Sequence, residues 1–146
     1  MRYQIMSVGL LLAASAGVAH ADVITDWNTI VLNTVKNTAT PPPKASRIMA
    51  MVHVAQYEAV NSVTKSHNAF DSYLDCPTGT SAEAAAAQAA RDVMASLFPT
   101  LQANFDIALS SQLGSIAPGV SRSNGILLGQ ASASRVLTSR AADGSS

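Results

Sequence analysis

The sequence predicts an all-α fold, a bundle of about five helices, on three observations. Apolar residues recur at helical spacing in five separate stretches. No stretch alternates apolar and polar residues in the manner of a strand. Proline and glycine punctuate the chain between the periodic stretches, at Pro41 to Pro43, at Pro77 and Gly79, at Pro99 and at Pro118-Gly119. Short connections without strands leave helix-on-helix packing as the architecture.

Residues 1–21 read as a secretory leader. Arg2 gives a positive start, Ile5 to Val18 is apolar, and Ala19-His20-Ala21 is an A-x-A cleavage site ahead of Asp22. The apolar run is shorter than the roughly 20 residues that a membrane span needs. A single helical domain over 22–146 is then expected in the periplasm or outside the cell. The leader takes one basic side chain from a chain with 9 basic and 9 acidic ones, which leaves a net charge of about −1. That balance gives no electrostatic case for nucleic acid or for an anionic membrane surface. Cys76 is the only cysteine, so no internal disulfide can form. It reads as an unpaired loop thiol, with intermolecular pairing as the alternative. Nothing around Asp75-Cys76-Pro77 supplies a base or a positive charge to make thiolate.

The first helix is expected over about Asp22 to Asn37, where Ile24, Trp27, Ile30 or Val31, and Val35 repeat at helical spacing. Asp22 and Asp26 suit the positive end of its dipole. Trp27, the single tryptophan, is placed as a core anchor. Asn37 to Pro43 reads as a linker. The central helix begins after the prolines, with Ser46 or the region just before it as cap, and runs to about Thr64. Ile48, Val52, Ala55, Ala59 and Val63 form one of its sides. Met49, His53, Gln56 and Val60 form a second, mixed side, and Arg47, Val54, Glu58, Asn61 and Lys65 a third, the most polar. Apolar residues on more than one side predict burial by several neighbours.

Ser66 to Thr80 is the longest non-helical stretch and is rich in turn formers. Phe70 and Tyr73 are expected to pin it to the bundle. His67, Asp71 and Asp75 lack the spacing of a zinc site or a calcium loop, so the stretch reads as a solvated loop with no metal. Thr80-Ser81-Ala82-Glu83 fits a capping box and opens a third helix that runs to Phe98. Its alanine run has very high helix propensity. Ala86, Ala89 or Ala90, Val93 and Leu97 should face inward, and Gln88, Asp92 and Ser96 outward. Pro99 ends this helix or begins the next.

Leu101, Phe105, Ala108 or Leu109, Gln112 and Ile116 make a fourth helix, broken by Ala117-Pro118-Gly119. Val120 to about Arg140 makes a fifth. Gly125, Gly129 and Ala133, spaced by four, predict that another helix approaches this one closely. A core of alanine, valine and leucine with few aromatics is thin for its length. One face is therefore expected to await partners, either further C-terminal helices or a second copy.

Arg47, His53, Tyr57 and Glu58 are the residues that look like chemistry. The chain has no H-E-x-x-H, C-x-x-C or G-x-S-x-G, no phosphate-binding glycine loop and no acid–base carboxylate couple. Ser46-Arg47-x5-His53 remains. A guanidinium forks to two oxygens of an oxyanion, and an imidazole serves as nucleophile, acid or base. Six residues turn a helix through about 600°, so the two side chains point roughly 120° apart on a regular helix. The plainer expectation is that Arg47 pairs with Glu58 or with a neighbouring helix, and that His53 is a hydrogen-bonded core histidine. Arg47 and His53 are the only catalytic candidates.

Four segments in order carry a resemblance: DVITDWNTIVLNTV, TPPPKASRIMAMVHVAQYEAVNSV, TSAEAAAAQAARDVMASLFP and GILLGQASASRVLTSRAADGS. Their most specific piece is S-R-x5-H-x3-Y-[DE]-A-V-N, present as Ser46, Arg47, His53, Tyr57, Glu58, Ala59, Val60 and Asn61. Together they resemble the front part of secreted bacterial proteins of the vanadium-dependent haloperoxidase and PAP2-type acid phosphatase superfamily. The resemblance implies an all-helical fold holding phosphate or vanadate within a larger helix bundle. It also implies three oxyanion motifs: a lysine followed by an arginine-proline, a P-S-G-H and an S-R-x5-H. This chain has no P-S-G-H and no Arg-Pro. Its S-R-x5-H stands ahead of where the first two motifs belong and reads as a look-alike. The expectation is a partial chain that supplies scaffold helices and is inactive alone. It holds no cofactor itself, and vanadate would belong to the full-length protein. A complete small periplasmic helical module that binds a partner without catalysis is the alternative.

Overall fold

Local chemistry sets the ends of the helices. In the computed structural model, which describes residues 22–144, Asp22 caps the first helix by accepting from the Ile24 amide at 3.3 Å. The helices are α1 (Val23–Asn37), α2 (Pro42–Thr64), α3 (Ala82–Leu97), α4 (Gln102–Ser115) and α5 (Val120–Ser139), with a 3-10 turn at Pro99–Leu101. Among the described residues there is no strand, and the fold is the all-α bundle that the sequence predicts. The leader expected at 1–21 lies outside the described residues.

Three boundaries differ from expectation, each for a local reason. α2 starts at Pro42, with Pro41 as its cap, rather than after Pro43. Proline is tolerated in a first turn because its missing N–H would have had no partner there. Ser81 rather than Thr80 caps α3, accepting from the Ala84 amide at 3.1 Å. Glu83 therefore sits at the second helical position, and the capping box does not form. Thr80 turns back instead, donating its hydroxyl to the Pro77 carbonyl at 2.6 Å. Leu101 belongs to the 3-10 turn that Pro99 opens, not to α4.

The centre of the bundle is α3, not α2. All seven residues from Ala84 to Ala90 are buried, Gln88 included, and α3 packs against each of the other four helices. A helix apolar all round belongs inside, and short alanine side chains let four neighbours approach at once. Of the expected outward face only Ser96 is exposed, and Asp92 is half-buried. Gln88 is buried and donates to Asp92 at 2.8 Å. Arg91 holds Asp92 at 2.8 Å and Asp106 of α4 at 2.7 Å through its Nε. Burial acts to lower the Arg91 pKa. The hydrogen bonds to Asp92 and Asp106 outweigh it, so the guanidinium holds its proton more tightly than usual.

α5 lies closest to α3. A Cβ placed on Gly129 would stand 2.5 Å from the Ala85 carbonyl oxygen and 2.9 Å from the Ala89 nitrogen. One on Gly125 would stand 2.5 Å from the Ser81 carbonyl oxygen. The spacing of Gly125, Gly129 and Ala133 thus marks a contact of backbone on backbone. Across α3, Ile48, Val52, Ala55 and Ala59 of α2 fill the core, together with Trp27, Val31, Val93, Met94 and Phe105. Trp27 is fully buried, meets the Phe105 ring at 6.4 Å, and donates its Nε1–H to Gln112 at 2.6 Å. Ile107, Val120 and Leu127 stay largely exposed.

Two glycine substitutions should act in opposite directions. Gly129→Ala forces α5 away from backbone atoms that cannot yield, and should cost about 1–3 kcal/mol. Gly114, within α4, has open space where a Cβ would go. Gly114→Ala should therefore stabilise by about 0.5–1 kcal/mol through lost freedom of the unfolded chain. Urea midpoints followed by circular dichroism measure both changes.

Candidate functional site

The residues singled out in the sequence all ride on α2, and that helix divides them between two cavities. The larger, of about 580 Å³, is lined by Arg47, Glu58, Asp71, Arg135 and Asp143 beside apolar Met51, Val54 and Val136. The smaller, of about 350 Å³, is lined by His53, Gln56, Tyr57, Asn61 and His67 beside Ile24 and Val60. Arg47 and His53 therefore open onto different spaces. Both lie within the regular helix, so the six-residue spacing keeps them about 120° apart.

Each of the two has a structural partner. Arg47 donates from Nε to Asp143 at 2.9 Å and from Nη2 to the Arg140 carbonyl at 2.9 Å, which ties the end of α5 to α2. The expected pairing of Arg47 with Glu58 does not form. His53 donates from Nε2 to Asn28 Oδ1 at 3.2 Å, bridging α2 to α1. It is hydrogen-bonded, as the plainer reading expects, but half-buried rather than in the core.

Glu58 has a different task. It is 2 % exposed, and both of its oxygens are occupied. Oε1 accepts from the amides of Phe70 at 2.6 Å and Asp71 at 3.2 Å, and Oε2 faces Arg135 of α5 at 3.4 Å. Arg135 in turn donates to the Ser72 carbonyl. One turn on, Asn61 accepts from the His67 amide at 3.0 Å and donates to the His67 carbonyl at 2.8 Å, replacing a backbone partner on both counts. Tyr57 donates to the Asn68 carbonyl at 2.6 Å, and Ser62 accepts from the Leu74 amide at 2.9 Å. Cys76 is a free, half-buried thiol whose Sγ lies 3.5 Å from the Ser62 carbonyl.

Polar side chains of α2 thus hold the loop over residues 65–80 by its backbone. The expected aromatic pins are not what does it. Phe70 is 63 % exposed, and Tyr73 donates to His67 within the loop itself. The polar side of α2 is buried because an irregular segment with no ladder of its own must find partners for its amides and carbonyls elsewhere. The sequence reading missed Arg135, Asp143 and Gln56. A buried glutamate calls for a cation, and Arg135 of α5 supplies it at 3.4 Å.

Phosphate or vanadate does not fit the candidate pair, since Arg47 and His53 neither share a cavity nor keep free donors pointed at one place. Among the described residues, no group of three or more His, Cys, Asp or Glu side chains is placed to hold a metal ion. Among them, too, no helix is long and apolar enough to cross a membrane. Comparison with protein-family models, with curated proteins and with solved structures finds no match to this chain.

Substitutions on α2 should separate these roles. Glu58→Ala strips two backbone amides and Arg135 of their acceptor and should cost about 2–4 kcal/mol. It should also speed hydrogen exchange at the Phe70 and Asp71 amides before the helices are affected. Arg47→Ala breaks an ion pair whose side chains are 25 % and 22 % exposed, and should cost less than about 1 kcal/mol. Chemical denaturation with exchange mass spectrometry reads both.

Proposed function

We propose that this chain is a scaffold module of an exported protein of the vanadium-dependent haloperoxidase and PAP2-type acid phosphatase superfamily, and that it does no chemistry alone. The observation that carries this reading is the use to which its most specific run is put. Tyr57, Glu58 and Asn61 all hold the loop between α2 and α3. Arg47 and His53 brace α2 against α5 and α1. A run spent on bracing is consistent with a part of the fold that supports an oxyanion site formed elsewhere. The leader at 1–21 supports a periplasmic or secreted place for it, and Ile107, Val120 and Leu127 offer apolar surface for further helices or a second copy. Phosphate or vanadate would then be held by parts of the protein that carry the remaining motifs.

The second reading is a small exported helical module that binds a partner without catalysis. The smaller cavity favours it, because one buried polar side chain in its wall has no partner.

The reading frame beyond codon 146 tests the first reading. A P-S-G-H followed by a second S-R-x5-H supports it, and a frame that ends without them overturns it. On the purified protein, phosphate and vanadate are expected to leave the melting temperature unchanged. A ligand of the folded state must raise it, so a saturable rise would place an oxyanion site in this chain after all.

A further inference from the structure

Gln56 is 1 % exposed, and neither its Oε1 nor its Nε2 has a hydrogen-bond partner. Buried amides are almost always satisfied, and one left without partners costs about 1–3 kcal/mol. Gln56 also lines the smaller cavity, about 350 Å³ in volume. That volume is in the range of small-molecule sites.

The rest of the wall narrows what can enter. It contains two imidazoles, His53 and His67, but no Lys, Arg, Asp or Glu, so an ionised ligand would lose its hydration without meeting a permanent counter-charge. The other polar side chains of the wall each have a partner: His53 with Asn28, Tyr57 with Asn68, Asn61 with His67, and Thr64, Ser66 and the His67 Nδ1 with one another. Ile24, Val60 and the Tyr57 ring supply apolar surface. The side chain left with neither donor nor acceptor engaged is one carboxamide, which offers an N–H donor beside a carbonyl acceptor. Its best complement is another group of the same kind. Both polar atoms of Gln56 are closed off from solvent, so binding requires the side chain to change rotamer and carry its amide to the cavity wall.

We infer that this cavity binds a small neutral molecule whose amide edge pairs with Gln56 while its apolar ring lies against Ile24, Val60 and Tyr57. This rests on the cavity alone and holds under either functional reading.

The test is a titration of the purified protein with benzamide, with ethylbenzene as the apolar control and benzoate as the charged one. Side-chain and backbone ¹H–¹⁵N cross-peaks and the melting temperature are followed. Benzamide should shift the Gln56 side-chain NH₂ and the Ile24, His53 and Tyr57 amides saturably, and bind at least about tenfold tighter than either control. Gln56→Met removes the orphaned amide at similar volume. It should melt at the same temperature or higher and lose about tenfold in benzamide affinity. No saturable shift at tens of millimolar, equal binding of ethylbenzene, or unchanged affinity in Gln56→Met would each overturn the inference. The comparison of benzamide with ethylbenzene on the unsubstituted protein decides the matter even if Gln56→Met does not fold.

Discussion

The approach of α5 onto α3 is the contact on which the rest of the bundle depends. Gly125 and Gly129 let the α5 backbone meet the α3 backbone where any side chain would collide with a carbonyl. That leaves the remaining circumference of α3 to α1, α2 and α4. It also fixes the position of Ser132, whose buried hydroxyl donates to the Ala55 carbonyl of α2 at 2.7 Å. Arg135 follows one turn later, at the height of Glu58. The loop clamp on α2 is therefore set by glycines on another helix. A shift of α5 outward would carry Arg135 away from the carboxylate it serves.

This dependence explains what was legible in the sequence. The helix count, the close α5 contact and the anchoring role of Trp27 follow from spacing and residue size, which are local properties. Which helix lies at the centre did not follow. α2 has the longer mixed apolar pattern, and its length draws the eye. Burial of α3 comes from the smallness of its side chains, and hydrophobic periodicity measures that poorly because alanine is only weakly apolar. Gln88 and Asp92 looked outward on the same account, since a polar letter on a helix reads as solvent-facing until its partner, here Arg91 or its neighbour, is known.

The candidate site was legible in its letters and not in its geometry. Arg47 and His53 are the right residue types for an oxyanion, and the helical angle between them already argued against convergence. Their actual partners are Asp143 and Asn28, the first 96 residues away in the chain and the second 25. No local pattern announces such pairs. Glu58 was weighed as a partner for Arg47 because the two lie on one face three turns apart. The loop that folds back over α2 intervenes, offering two amides and drawing in Arg135, and a carboxylate with three donors at hand has no reason to reach along its own helix.

The two cavities show α2 under opposite demands. On the side of the larger cavity Glu58 is spent on two loop amides and Arg135, and Arg47 on Asp143 and the Arg140 carbonyl. On the other side Gln56 is buried by the same packing and finds nothing. A protein of this size has about 5–15 kcal/mol of stability in all, so an unsatisfied amide draws on a visible share of it. The tight α3 core makes that loss bearable, because the helices around Gln56 are held by contacts that do not involve it. An apolar side chain in its place would suit the fold better. A ligand in the cavity would give that amide the partner the fold does not.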